Sequence, residues 1–153
     1  MKIQQLLWVS VLLLSACSYT KTESDNSEQA TYVESEEFAK TSMPFSEAVI
    51  YRDIIYASGQ VGENAAGLVA GGIGPETHQA MTNIKKVLEE NGSSMDNIIK
   101  CTCMLADIND WAKMSEEYLK FFPNHKPARS AFATNGLALN ARVEIECMAY
   151  ITK

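Results

Sequence analysis

Arg129 stands near the head of the run Lys126–Thr134, "KPARSAFAT". If the run is a strand, Arg129, Ala131 and Ala133 share one face, because side chains alternate along a strand. A long cation followed on its own face by two alanines has room beside it. A planar guanidinium with room beside it suits two-point capture of a carboxylate. Two acids, Glu144 and Glu146, follow within "VEIE". A glutamate in a partly dry cleft can hold a water or move a proton. The alternative for Arg129 and Glu144 is an ion pair between neighbouring strands. "SGQ" at 58–60 closes an earlier strand-like run and places a hydroxyl at Ser58.

The cysteines offer less chemistry. Cys101 and Cys103 are two apart in "IIKCTCML" and would share a strand face, a spacing that seldom meets disulfide geometry. Cys147 lies in another strand-like run. His78 and His125 are the only imidazoles, at no ligand spacing, so no metal site is expected. Buried free thiols are the expectation; the alternative is a bridge from Cys147 to one of the pair in an oxidising compartment. There is no GxGxxG, no phosphate loop and no Ser-His-Asp pattern, and no cofactor is implied.

The elements that position these groups follow from periodicity. Residues 45–51 and 54–60 read as strands joined at Arg52-Asp53. Glycines cluster over 59–74, and Pro75 and Glu76 suit a helix start. Ala80, Met81, Ile84, Val87 and Leu88 recur at helical spacing, and Gly92 supplies the stop. Residues 98–105 form an apolar strand. Asp107–Asp110 caps a second helix whose stripe is Trp111, Met114, Tyr118 and Phe122, with Pro123 beyond its end. The arginine strand comes next, and a last strand spans 141–151. The order β-β-α-β-α-β-β predicts an α+β domain with a mixed sheet and two helices on one face. The other sheet face keeps apolar groups and is expected to be covered by further copies of the chain.

The N-terminus reads as an address. Residues 6–14 are apolar apart from Ser10, and the run ends in Leu14-Ser15-Ala16-Cys17. It is too short for a bilayer span, which needs roughly 20 residues, but suits a signal peptide over 1–16. Small residues before a cysteine resemble the bacterial lipobox, whose cysteine is lipidated; Ser18 after it implies outer-membrane sorting. The expectation is therefore an exported lipoprotein facing the periplasm. Residues 17–40 follow as Cys17 and an acidic tether, with six acids against two lysines in 18–40. One domain occupies 41–153. The chain carries a formal net charge of −6 and no basic cluster, which argues against a nucleic-acid partner.

"SGQVG" (58–62), "KCTCMLADINDWAKMSEEYLKFF" (100–122), "PARSA" (127–131) and "VEIE" (143–146) resemble the RidA (YjgF/YER057c/UK114) family of reactive-intermediate deaminases. The resemblance spans about 43–151. It implies a chorismate-mutase-like fold and a homotrimer with clefts between subunits. It also implies cofactor-free hydrolysis of enamines and imines to 2-keto acids and ammonia. On that pattern Arg129 grips the substrate carboxylate and Ala131 offers a backbone N–H. Glu144 positions the attacking water, and Ser58 and Phe45 line the cleft. Phe45 departs from the family's usual tyrosine, and 135–141 lacks a proline usual after the leucine. Phe45 and the tether keep a second reading open: a non-catalytic trimer that binds small carboxylates or contacts envelope proteins.

Overall fold

The computed structural model describes residues 29–152. The expected signal segment 1–16, the lipidation site Cys17 and the first part of the tether lie outside the described residues. In chain order the elements are β1 (Thr31–Val33), α1 (Glu36–Ala39), β2 (Ala48–Tyr51), β3 (Ile54–Val61), β4 (Glu63–Asn64) and β5 (Gly67–Leu68). Then follow α2 (Ile73–Glu90), β6 (Ile98–Leu105), α3 (Trp111–Leu119), β7 (Ala128–Ala133) and β8 (Val143–Tyr150). Six strands form one sheet in the order β1-β2-β3-β8-β6-β7; β4 and β5 make a separate small hairpin. Only β6 and β7 run parallel within the sheet, and α3 supplies the crossover between them.

The helices form where expected. Gly92, at φ 79°, follows the Asn91 cap that ends α2. The Asp107 side chain accepts from Asn109 N–H at 2.9 Å, in the turn that leads into α3. Both α2 and α3 lie on one face of the sheet. Beneath them Ile55, Met81, Ile84, Leu88, Leu105, Met114 and Ile145 are fully buried. On β8, Val143, Ile145, Cys147 and Ala149 point into this core, and the residues between them do not.

Three expectations need correction. The domain begins before residue 41. Within the proposed tether, Thr31–Val33 pairs antiparallel with Ala48–Ile50, and Ser35 caps α1 by accepting from Phe38 N–H at 3.2 Å. The acidic composition of 18–40 hid a short strand held by an edge ladder, with Val33 packed against the core. Trp111 is 45% exposed and is not core; its ring lies 5.3 Å from the Arg129 guanidinium carbon instead. The free-thiol expectation holds for Cys103 alone: Cys101 and Cys147 are bonded. They are directly opposite in the β6–β8 register, with Cα atoms 4.2 Å apart, and both face the core.

Candidate active site

The arginine is placed by the edge strand β7. In the parallel register Arg129 lies beside Cys101 and Ala131 beside Cys103, so both point to the helix-covered face. The side chain folds beneath α3. Its Nη2 donates to Ser115 Oγ at 3.0 Å, and its Cζ sits 4.9 Å from the Tyr118 ring centroid and 5.3 Å from that of Trp111. These distances are within cation–π range. Its partners among the described residues are thus a hydroxyl, a thioether and two rings, not a carboxylate. A half-buried guanidinium, oriented yet not neutralised, has the geometry and charge to receive an anion. Ala131 follows it on a strand with a free outer edge, where backbone groups remain unpaired.

The same guanidinium acts on its neighbours. Burial pushes the Cys103 thiol up to about 11, with Arg129 pulling the other way. Burial also raises the Tyr118 phenol, again opposed by Arg129. The Tyr118 hydroxyl is buried and has no hydrogen-bond partner among the described residues. Both groups stay neutral at physiological pH, so Arg129 is the charged member of this corner.

Glu144 lies elsewhere. On β8 it stands between Val61 of β3 and Met104 of β6, half-buried, on the face opposite the one that α2 and α3 cover. It lines a cleft of about 550 Å³ together with Phe45, Glu47, Gly59, Gln60 and Leu139. Phe45 is 49% exposed and packs on Phe38, ring centroids 5.8 Å apart. Glu47 is fixed by accepting from Ser35 N–H at 3.2 Å. α1 therefore forms one wall of the cleft.

One alternative is excluded. Arg129 and Glu144 are not an ion pair between neighbouring strands: β6 separates β7 from β8, and the two side chains point to opposite faces. Ser58 lies between the pocket-lining Gly59 and the core residue Ala57, and its Oγ donates to Ser46 O at 2.7 Å, between the lining residues Phe45 and Glu47. Gly59, its neighbour, is the lining residue that composition did not reveal; the signal was its place in "SGQ". Ser115 was missed as well. Its position one helical turn from both Trp111 and Tyr118 marks a shared helix face, but only the fold sets Arg129 against it.

Glu146 shares the open face with Glu144. With Tyr56, Lys100, Thr102 and Met148 it borders a smaller hollow of about 100 Å³. Among the described residues no His, Cys, Asp or Glu group of three or more is arranged to hold a metal ion, and no helix is long and apolar enough to cross a membrane.

Comparisons with known proteins converge on one family. The model of the family described as Endoribonuclease L-PSP matches residues 36–151. The chain is 42% identical over 108 residues to a 2-iminobutanoate/2-iminopropanoate deaminase of Bos taurus, covering 69% of this chain and 79% of that protein. The crystal structure of a yeast protein, YEO7, superposes with a TM-score of 0.75 at 36% identity, over 81% of this chain and all of that one. The YjgF gene product of E. coli superposes with a TM-score of 0.67 at 28% identity, over 70% and 87% of the two chains.

Proposed function

Because the chain belongs to the Endoribonuclease L-PSP (YjgF/RidA) family, we propose that it hydrolyses 2-imino acids to 2-keto acids and ammonia, at clefts shared between copies of the chain. The observation that carries this reading is the split site. Arg129 is an uncompensated cation on one face of the sheet, and Glu144 points to the other and lines a cleft that Arg129 does not reach. A small imino acid within one chain cannot touch both. A second copy that brings its β7 edge to the Glu144 cleft completes the site. The open face favours such assembly: Tyr32, Tyr51, Tyr56, Phe132 and Tyr150 stay exposed there. The family resemblance implies three copies.

The chemistry asks little of the protein. Arg129 holds the carboxylate and so fixes the imine carbon. A backbone N–H at Ala131 takes a share of the same anion. Glu144 orients a water and takes its proton as the oxygen–carbon bond forms. The carbon–nitrogen bond then breaks, and both protons of the water finish on the nitrogen, which departs as ammonia. No redox step or external co-reactant enters. Phe45 packs the substrate's side chain without offering a hydroxyl, which shifts preference toward apolar side chains.

RNA fits the cleft poorly. Glu37, Glu47, Glu63 and Glu144 line it against Lys86 alone, and that lysine already pairs with Glu37 at 3.6 Å. Phosphates need the opposite balance.

Export as a lipoprotein through Cys17, facing the periplasm at the outer membrane, is part of the same proposal. Its support is the 6–17 sequence and the Cys101–Cys147 bond, since disulfides persist in oxidising compartments.

The test uses an amino-acid oxidase to generate imino acids beside semicarbazide as a trap. The protein should divert imine from the semicarbazone, and Arg129→Ala should not. Tight keto-acid binding by calorimetry without turnover would replace the deaminase reading with a carboxylate-binding module.

A further inference from the structure

We propose that Gly59 is the seat of the Glu144 carboxylate, a positioning residue whose missing side chain decides where the acid stands. The inference rests on the reading of Glu144 as the group that handles protons. Its observations are a bulge, a register and a collision.

The bulge comes first. Ala57 opposes Cys147 and Gln60 opposes Ile145, so Ser58 and Gly59 together stand against Glu146 alone. One extra residue in a strand bends it and breaks its ladder locally. Here two hydrogen bonds pin the bend from the β2 side: Ser58 N–H donates to Glu47 O at 3.1 Å, and Ser58 Oγ to Ser46 O at 2.7 Å. Pairing resumes with Val61 opposite Glu144. Gly59 lies two residues before Val61 on the same face, so Glu144 leans across the diagonal onto it.

A Cβ at Gly59 would lie 2.9 Å from Cδ and 3.0 Å from Cγ of Glu144, and would overlap its Oε1 outright. The backbone does not demand glycine there, because Gly59 has no left-handed φ. The vacancy serves the carboxylate. Gly62 makes the contrast: its Cβ would meet the Glu76 backbone, 2.5 Å from Cα and 2.6 Å from O. Gly62 is a packing glycine, closed by main chain that cannot yield. Gly59 is closed only by a side chain that would be pushed out of place.

The test is a double-mutant cycle on the full-length protein. It reads turnover in the imine-diversion assay and 2-oxobutanoate binding by calorimetry. Gly59→Ala is expected to lower kcat about tenfold or more while Kd for the keto acid stays within about twofold, since the acid moves and Arg129 does not. Glu144→Asp draws the carboxylate back by one methylene, which removes the outright overlap at Oε1 and leaves its carboxyl carbon at the Cγ position, 3.0 Å from the new Cβ. The loss in the double variant should therefore be smaller than the product of the two single losses by about threefold or more. Wild-type kcat in Gly59→Ala, or single losses that simply multiply, would overturn the seat. If Gly59→Ala does not fold, Gly59→Ala with Glu144→Ala must restore folding; failure to do so also overturns it. Glu144→Gln separates the two layers. An inactive Glu144→Gln beside an unaffected Gly59→Ala removes the seat alone, whereas full activity in Glu144→Gln removes the acid's role and the seat with it.

Discussion

On β8, Val143, Ile145, Cys147 and Ala149 are buried beneath the helices, whereas Glu144, Glu146 and Met148 point the other way and are only half covered. The covered face closes within one chain. α2 alone buries Ala80, Met81, Ile84, Val87 and Leu88 against it. The open face leaves aromatic rings and two acids without such cover. A strand period of two thus divides labour residue by residue: one set of side chains holds the fold, and the next set is free for binding and assembly. Stability and activity should separate along the same strand.

Adjacent residues give the sharpest break. Glu144→Gln is expected to lower kcat by about 10²–10⁴-fold with little change in Tm, measured by imine diversion and thermal unfolding. Ile145→Ala should do the reverse, losing about 2–5 kcal/mol in denaturant unfolding while its folded fraction still turns over. If the two phenotypes exchange, the division of the strand is wrong. Removing the disulfide with Cys101→Ala and Cys147→Ala should cost about 2–4 kcal/mol of stability and leave the keto-acid affinity unchanged, read by unfolding and calorimetry.

The open face is tested by Tyr56→Lys, which places a cation among its rings. Assembly should weaken by about 30-fold or more in sedimentation, as for an interface anchor worth about 2 kcal/mol. The monomer should keep its unfolding cooperativity. The smallest effect belongs to the outer helix surface. Hydrogen bonding from Lys120, then from His78, holds Glu117 below the usual carboxylate range. A depressed carboxyl stabilises the fold above its unfolded pKa, and that contribution is lost as pH falls through the folded value. Glu117→Gln should therefore show a smaller drop in Tm between pH 7 and pH 3 than the wild type.

The covered face was largely legible in the sequence. Periodicity at 80–88 placed α2, alternation at 143–149 placed β8, and Arg52-Asp53 placed the hairpin between Tyr51 and Ile54. The short β1 was not legible, because three residues cannot display a period and the acids around them read as solvated. The β4–β5 hairpin was lost among glycines for the same reason. Arg129 and Glu144 were visible as candidates from residue type, but their separation was not. Which strands neighbour one another is set by long-range pairing, and the insertion of β8 between β3 and β6 is written in no local pattern. The hydrogen bond from Ser58 to Ser46 was not legible either, because it depends on the bulge in β3. The Cys101–Cys147 bond needed the same missing fact, that β6 and β8 are partners.

That insertion also sets a timetable. β8 is the last strand of the sheet to be synthesised, yet it fills the middle, with β3 on one side and β6 on the other. Without it the sheet order would divide into β1-β2-β3 and β6-β7, each with a bare inner edge, and Cys101 would lack its partner. The sheet therefore cannot be completed strand by strand along the chain: the last strand is the one that joins the two halves. Its arrival pairs both edges and brings Cys147 to Cys101. The same strand delivers Glu144 to Gly59. Quality control is thus built into the order of synthesis, since a chain that stops short of β8 has neither a closed sheet nor its acid.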